Sequence, residues 1–200
     1  MFAETVINRI YPFQIVAGRS ALDKIGELNS FLAQVERRAL RIAELAVCQR
    51  AEALDLVQDS MLKLAEKYAH KPADQWPPLF YRILQSRIRD WYRRGRVQRK
   101  HFALTPVHDP DNADDPLQSA ADAGPDPARH LELEQIIPAL YLALQRLPLR
   151  QQQVFLLRAW EGLDVQQTAT AMNCGTGSVK THYHRALQSL RHQLRDFRED

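Results

Sequence analysis

The chain has 200 residues, of which 45% are hydrophobic and 26% are charged, with a formal net charge of +3. These proportions are typical of a folded protein with one ordinary domain or two small ones, and they exclude a largely disordered chain. No run of eighteen apolar residues occurs, the N-terminus lacks signal-peptide features, and two cysteines are too few for a disulfide framework. We therefore expect a reduced, cytoplasmic protein without membrane insertion.

The first half of the chain predicts amphipathic helices, because apolar residues recur at alternating intervals of four and three. The first such stripe consists of Leu28, Leu32, Val35, Ala39, Ile42 and Ala46. The second consists of Leu54, Val57, Met61, Leu64 and Tyr68. The opposite face of this second helix is mainly acidic or polar and carries Asp55, Gln58, Asp59, Leu62 and Glu66. Such a face is ordinarily only solvated surface.

A third predicted helix follows Pro77 and Pro78 and is strongly basic. Its predicted buried side chains are Phe80, Leu84, Ile88 and Trp91, and a separate stripe carries Arg82, Arg89, Arg93 and Arg96. Residues 87–100 hold seven positive charges and one negative charge. These cations are compatible with a solvated helix end that complements the helix dipole. The density of positive charge favours a phosphate-binding surface instead, on which Trp91 and Tyr92 could stack against unpaired bases.

The segment between His101 and Ala128 differs sharply from the rest of the chain. It has no Lys or Arg, but it contains six Asp and five Pro residues and shows no helical or strand periodicity. Outside this segment, 27 basic residues face 18 acidic ones, a balance of +9. We therefore predict an all-α protein of two small basic domains joined by a flexible acidic linker.

The second half again predicts helices. Leu133, Ile137, Leu140, Leu144 and Leu147 mark one helix, in which we expect Pro138 to lie in the first turn, where a missing N–H costs little. A second helix spans about residues 150–160 and stops at Gly162. Asp164 and Gln167 have the spacing of a capping box that begins a short helix. After a turn at residues 173–175, a final helix buries Val179, Tyr183, Ala186, Leu190, Leu194 and Phe197.

Two helices joined by a tight turn that contains Gly describe a helix-turn-helix, whose second helix enters the DNA major groove. The outward residues of this second helix are all hydrogen-bonding types: Ser178, Lys180, Thr181, His182, His184 and Arg185. A helical hairpin without a DNA role would show the same apolar pattern, so both interpretations stay open on this evidence.

Two groups of motifs resemble bacterial sigma factors. Glu161-Gly-Leu-Asp-Val-Gln-Gln-Thr-Ala169 and residues 177–186 resemble the DNA-binding region 4, with residues 147–155 similar to its lead-in helices. Asp55-Leu-Val-Gln-Asp59 resembles region 2.2, and residues 80–94 resemble regions 2.3 and 2.4. Their order, without a third folded domain between them, is typical of the extracytoplasmic-function (ECF) type. The resemblance divides the chain into an N-terminal extension of unknown role (1–27), a region 2-like domain (28–100), a linker (101–130) and a region 4-like domain (131–200).

The resemblance implies a transcription initiation factor and not an enzyme. Core RNA polymerase would bind through its β′ clamp helices to Asp55, Gln58, Asp59 and Leu62, and through its β flap to region 4. The minus-ten promoter element would bind Arg82, Ser86, Arg89, Trp91, Tyr92, Arg93 and Arg96, although Trp91 also fits the core. The minus-thirty-five element would bind Thr176, Ser178, Lys180, Thr181, His182, His184 and Arg185. Promoter DNA is thus a partner, and an anti-sigma factor is a further candidate.

Four residues depart from the family pattern: Ser86, Thr168, Gly175 and His182. Because Gly175 stands where a Ser often caps the recognition helix in the family, we expect Thr176 to cap it instead. No cofactor or metal is expected, because His182 and His184 are two apart on a helix and therefore do not face one ligand. Two other functions remain as alternatives: a polymerase-independent helix-turn-helix regulator and a protein-interaction adaptor.

Overall fold

The computed structural model describes residues 19–99 and 127–195, with side chains described at 24–95 and 137–195. Every regular element in these ranges is helical, which confirms the predicted all-α class. The α-helices are α1 (Arg19–Val47), α2 (Arg50–Tyr68), α3 (Trp76–Arg99), α4 (Pro127–Arg146), α5 (Leu149–Phe155), α6 (Val165–Met172) and α7 (Thr176–Gln193). Within the described ranges, no helix is both long enough and apolar enough to cross a membrane.

The first three helices pack around the predicted apolar stripe of α1. All six stripe residues, from Leu28 to Ala46, are buried. Met61 and Leu64 of α2 and Phe80, Leu84 and Ile88 of α3 complete this core, and each is fully buried. The 3.6-residue period therefore predicted most of these buried positions, because apolar side chains three and four apart share one side of a helix. Three residues of the predicted stripes are only half-buried: Leu54, Tyr68 and Trp91.

The start of α3 is held by Trp76. Its ring is 1% exposed, and its indole Nε1 donates a hydrogen bond to the Tyr68 carbonyl at the end of α2. Pro77 and Pro78 occupy the first turn, where backbone N–H groups have no partner within the helix. The two prolines therefore begin the helix at little cost, and Trp76 joins it to the preceding helix.

The helix-turn-helix has the predicted boundaries. The Asp164 carboxylate accepts from the Gln167 N–H at 2.7 Å, and the Gln167 side chain accepts from the Asp164 N–H at 2.9 Å, which is the predicted capping box. Asn173 adopts a left-handed φ of 50° after α6, and Gly162 has a φ of 70° before it. The N-cap of α7 is Gly175, so the expectation that Thr176 caps this helix is wrong. The extended backbone of Gly175 leaves Thr176 as the first helical residue.

Pro138 does not lie in a first turn, which corrects the sequence-based expectation. Helix α4 begins at Pro127 and continues to Arg146, so Pro138 is inside it. The proline is exposed. Its ring removes a backbone hydrogen bond, but water can satisfy a carbonyl on the solvent side of a helix. The helix therefore continues through a residue that ordinarily interrupts one.

The helices before and after residues 100–126 pack against each other. Helix α3 lies along α6, α1 contacts α4, and one continuous apolar core includes buried residues from both halves. The Gln152 side chain of α5 donates to the Leu45 carbonyl of α1 at 3.3 Å. The two predicted domains therefore share an interface, whereas most of the predicted acidic linker lies outside the described residues.

Candidate polymerase and nucleic-acid interfaces

The predicted polymerase-binding face of α2 is partly open to solvent. Asp55 and Asp59 are exposed, while Gln58 and Leu62 are half-buried. Leu62 also packs against the apolar core. A partner that contacts this face would thus meet two carboxylates around an apolar patch.

Asp59 has an internal partner that the sequence did not indicate. Its carboxylate lies 3.5 Å from an Nη of Arg87 on α3, and both side chains are substantially exposed. Exposed ion pairs of this kind contribute about 0–1 kcal/mol to the free energy of unfolding. A cationic or hydrogen-bonding partner could therefore displace Arg87 from Asp59 at small cost.

The basic stripe on α3 does not lie on one uniform surface. Arg82 and Arg93 are exposed, whereas Ser86 and Arg89 are half-buried. One Nη atom of Arg89 has no hydrogen-bond partner among the described residues. Burial, followed by the positive charge of Arg150 on α5, lowers the pKa of Arg89. Arg93 pairs with Asp90 on the same helix, and the side chain of Arg96 lies outside the described residues.

The aromatic pair Trp91 and Tyr92 is anchored to the protein. The Trp91 Nε1 donates to the Glu52 carboxylate of α2 at 2.9 Å, and the Tyr92 hydroxyl donates to the Ala46 carbonyl of α1. The two rings meet edge to face with centroids 5.2 Å apart. Because both polar ends point into the bundle, this arrangement favours a structural role over base stacking for each ring. The contribution of Glu52 had no signal in the sequence pattern.

The predicted DNA-facing residues of α7 lie mostly at the surface. Those that are exposed are Thr176, Ser178, Lys180, Thr181, His184 and Arg185. The Thr181 hydroxyl donates to the Gly177 carbonyl one turn earlier. His182 is half-buried, and its Nδ1 has no hydrogen-bond partner among the described residues. The structure thus brings six of the seven predicted residues to the surface and turns His182 partly inward.

The opposite side of α7 fixes its orientation. Val179, Ala186 and Leu190 are buried. Tyr183 stacks on Phe155 with ring centroids 6.2 Å apart, and the Arg158 guanidinium lies 5.8 Å from the Tyr183 ring centroid. These contacts hold α7 against α5 and the π-helical turn Leu156–Trp160, so that its polar side faces outward.

The first helix of the helix-turn-helix contains a buried polar residue, Thr168. Thr168 is fully buried, and its hydroxyl donates to the Asp164 carbonyl at 2.7 Å. A buried hydroxyl is tolerated when it is hydrogen-bonded. The hydroxyl of Thr168, which departs from the family pattern, therefore has its hydrogen-bond partner at the start of the same helix.

Across the described part of the chain, no cluster of three His, Cys, Asp or Glu could hold a metal ion.

Comparison with known proteins agrees with this architecture. The "Sigma-70, region 4" family matches residues 137–190. The ECF RNA polymerase sigma factor EcfG of Rhodopseudomonas palustris is 27% identical over 154 residues, which cover 76% of each chain. The RNA polymerase sigma-E factor of Streptomyces coelicolor is 25% identical, over 85% of this chain and 89% of that one. The sigma factor RpoE of Bartonella quintana, solved with the anti-sigma factor NepR, has a TM-score of 0.56 at 22% identity, over 83% of this chain and 97% of that one.

The region 4 match and these relatives support a transcription initiation factor that directs RNA polymerase. Within that class, most of the chain is similar to ECF-type sigma factors, and its second half matches their region 4.

Proposed function

We propose that this sigma factor binds core RNA polymerase through the α2 face and recognises two promoter elements through α3 and α7. The observation that carries the proposal is the surface of α7, which presents Thr176, Ser178, Lys180, Thr181, His184 and Arg185 while its apolar side is buried. Hydroxyl, imidazole and cationic groups are suited to base edges and phosphates in the major groove. The minus-thirty-five element is the duplex partner assigned to this helix.

The minus-ten element is assigned to the exposed basic side of α3. Arg82 and Arg93 supply accessible cations, and Ser86 lies between them. Arg96 follows on the same predicted stripe, with its side chain outside the described residues. Trapping unpaired bases on such a surface would favour melting, provided that new contacts offset an unstacking cost of a few kcal/mol per base. In this proposal Trp91 and Tyr92 hold α3 in place through their hydrogen bonds to Glu52 and to the Ala46 carbonyl.

The polymerase supplies the chemistry, and this chain supplies promoter choice. Asp55, Gln58, Asp59 and Leu62 are assigned to the β′ clamp helices, and the region 4-like domain to the β flap. Simultaneous binding of both DNA elements would raise the overall affinity for a promoter that carries both. Once one element is bound, the second contact forms within the same complex and therefore at a high effective concentration. An anti-sigma factor is a further partner, in line with the complex in which the Bartonella quintana RpoE was solved.

Run-off transcription with purified core polymerase over a promoter library tests this proposal. We expect promoter-specific transcripts from the wild-type chain and at least a tenfold loss with Asp59→Arg, corresponding to about 1.4 kcal/mol of lost binding. Glu27→Arg is the matched control, because Glu27 is an exposed carboxylate on α1 outside the proposed face.

Two results would contradict the proposal. Tight duplex binding without any dependence on polymerase would favour the free-standing helix-turn-helix regulator. The absence of transcripts, core binding and salt-dependent DNA binding would favour the interaction adaptor.

A further inference from the structure

We infer that Glu52 of α2 is a positioning residue for the minus-ten surface, because it holds Trp91 and thereby the carboxyl-terminal part of α3. This role rests on the proposed function, in which α3 carries the minus-ten contacts. Glu52 itself is outside the DNA-binding and polymerase-binding residues assigned above.

The contact between Glu52 and Trp91 is directional. The Trp91 Nε1 donates to the Glu52 carboxylate at 2.9 Å, and both side chains are half-buried. An indole N–H can only donate and an ionised carboxylate can only accept, so each group satisfies the other. Because the acceptor is charged, such a hydrogen bond is about twice as strong as one between neutral groups. The contact therefore fixes the orientation of the Trp91 ring relative to α2.

A second contact shows that α2 and α3 meet along one antiparallel seam. The Asp59 carboxylate lies 3.5 Å from an Nη of Arg87, which is one helical turn before Trp91. Glu52 is two turns before Asp59, so both acidic residues lie on the same side of α2. The pair of Asp59 and Arg87 is substantially exposed, and the proposed function assigns Asp59 to the polymerase. Of these two contacts, the one with Glu52 is then left to hold α3 in the polymerase-bound state.

Trp91 precedes the basic end of α3. Arg93 follows it and is exposed, and Arg96 continues the predicted basic stripe. The helix ends at Arg99, a rise of about 12 Å beyond Trp91. Helical stability in proteins comes mostly from packing, so a helix end that loses a tertiary contact unwinds more often. Loss of the Glu52 contact would therefore leave these cations without a fixed arrangement for the minus-ten strand.

Binding of promoter DNA to the reconstituted holoenzyme tests this role. The probe is a fluorescein-labelled fork whose minus-ten segment is unpaired, taken from a promoter that the wild-type run-off assay identifies. Glu52→Ala should weaken binding of this fork about fivefold, because a hydrogen bond to a charged group is lost. Glu52→Gln keeps a side-chain oxygen that accepts from the indole, so it should bind within about twofold of the wild type. Glu66→Ala, which removes an exposed carboxylate from the same helix, is the matched control and should bind as the wild type does.

Two further measurements separate positioning from other roles. Core polymerase binding and binding of a minus-thirty-five duplex should be equal in Glu52→Ala and the wild type, since neither surface includes Glu52. In a Trp91→Phe background, Glu52→Ala should cause no further loss of fork binding, because the donor is already absent. Trp91→Phe alone keeps an aromatic ring and should show the same loss as Glu52→Ala, which keeps the test valid if circular dichroism finds Glu52→Ala unfolded.

The free chain offers a spectroscopic test that needs no DNA. The indole N–H resonance of Trp91, identified by its absence in Trp91→Phe, should move upfield in Glu52→Ala and less in Glu52→Gln. The Trp76 indole, which donates to the Tyr68 carbonyl, should keep its position in both variants.

Four results would each overturn the role of Glu52. They are equal fork binding in Glu52→Ala and Glu66→Ala, an equal loss in Glu52→Gln and Glu52→Ala, a matching loss of core binding, and an unmoved Trp91 resonance in Glu52→Ala. None of them affects the proposed function when the wild type gives promoter-specific transcripts. A wild type without such transcripts would instead reject the proposed function, and the minus-ten role of Glu52 with it.

Discussion

The carboxylate of Glu161 lies 3.5 Å from the Nε of Arg38, although the two residues belong to different halves of the chain. The Glu161 side chain is only 2% exposed, whereas that of Arg38 is 49% exposed. The ion pair thus joins a desolvated carboxylate to a largely hydrated cation. Such asymmetry makes the acidic partner the more sensitive one, since burial penalises the charged form of a carboxylate.

This asymmetry predicts a pH dependence. Burial raises the pKa of Glu161 above its usual 4.5, with Tyr81 and Arg38 opposing that increase. The folded chain therefore binds this proton more tightly than the unfolded chain, and the carboxyl destabilises the fold as pH rises above 4.5. We expect the free energy of unfolding of the wild type, measured against Glu161→Gln, to increase as the pH falls from neutral toward the usual carboxyl pKa of 4.5.

Urea unfolding of both proteins across this interval measures the difference, and Glu27→Gln serves as an exposed control. A difference that is constant with pH, or that decreases toward acid, would contradict the predicted direction.

The core of the first domain depends on Leu84 of α3. Leu84 is 0% exposed and lies among the buried residues of α1 and α2. Leu84→Ala should lower the free energy of unfolding by about 2–5 kcal/mol, through lost apolar transfer and the cavity left behind. Arg82→Ala, two residues earlier and exposed, should change it by no more than about 0.5 kcal/mol. Similar values for the two variants would show that α3 is not packed as described.

The capping box at the start of α6 is a second stability determinant. Asp164→Ala removes the acceptor for the Gln167 N–H and should cost about 1 kcal/mol. Hydrogen exchange should accelerate at the Gln167 amide, because that donor would lose its partner. Gln166→Ala, at an exposed position in the same helix, is the matched control and should leave this exchange rate nearly unchanged. Equal exchange rates in the two variants would count against the cap.

Local pattern accounts for much of this fold and of the recognition helix. The apolar stripes of α1 and α7 have the helical period, so the sequence alone distinguished Val179 and Ala186 from the polar residues beside them. The capping box was also predictable, because Asp164 and Gln167 are only three residues apart. These features depend on neighbours within one turn of helix.

Features that depend on distant residues were not predictable in this way. Trp91 has a helical register that suits the core, yet its orientation is fixed by Glu52, which lies on another helix. Arg89 shared a predicted basic stripe with exposed arginines, but it is half-buried and close enough to Arg150 of the second domain for that charge to lower its pKa. No periodicity indicates which faces of two separate domains will meet. The domain interface therefore required the three-dimensional structure.

The exposed cations of α7 give a quantitative prediction for duplex binding. Lys180 and Arg185 are both exposed on the polar side of the helix. If each neutralises one phosphate, removing either should reduce the slope of log affinity against log salt by about 0.9, because one fewer counterion is released. Fluorescence anisotropy with a minus-thirty-five duplex selected from the transcribed promoters, over a range of salt concentrations, measures that slope for Lys180→Ala and Arg185→Ala. Arg146→Ala, an exposed cation at the end of α4, is the control, and an equal change in all three slopes would mean that α7 does not contact the phosphates specifically.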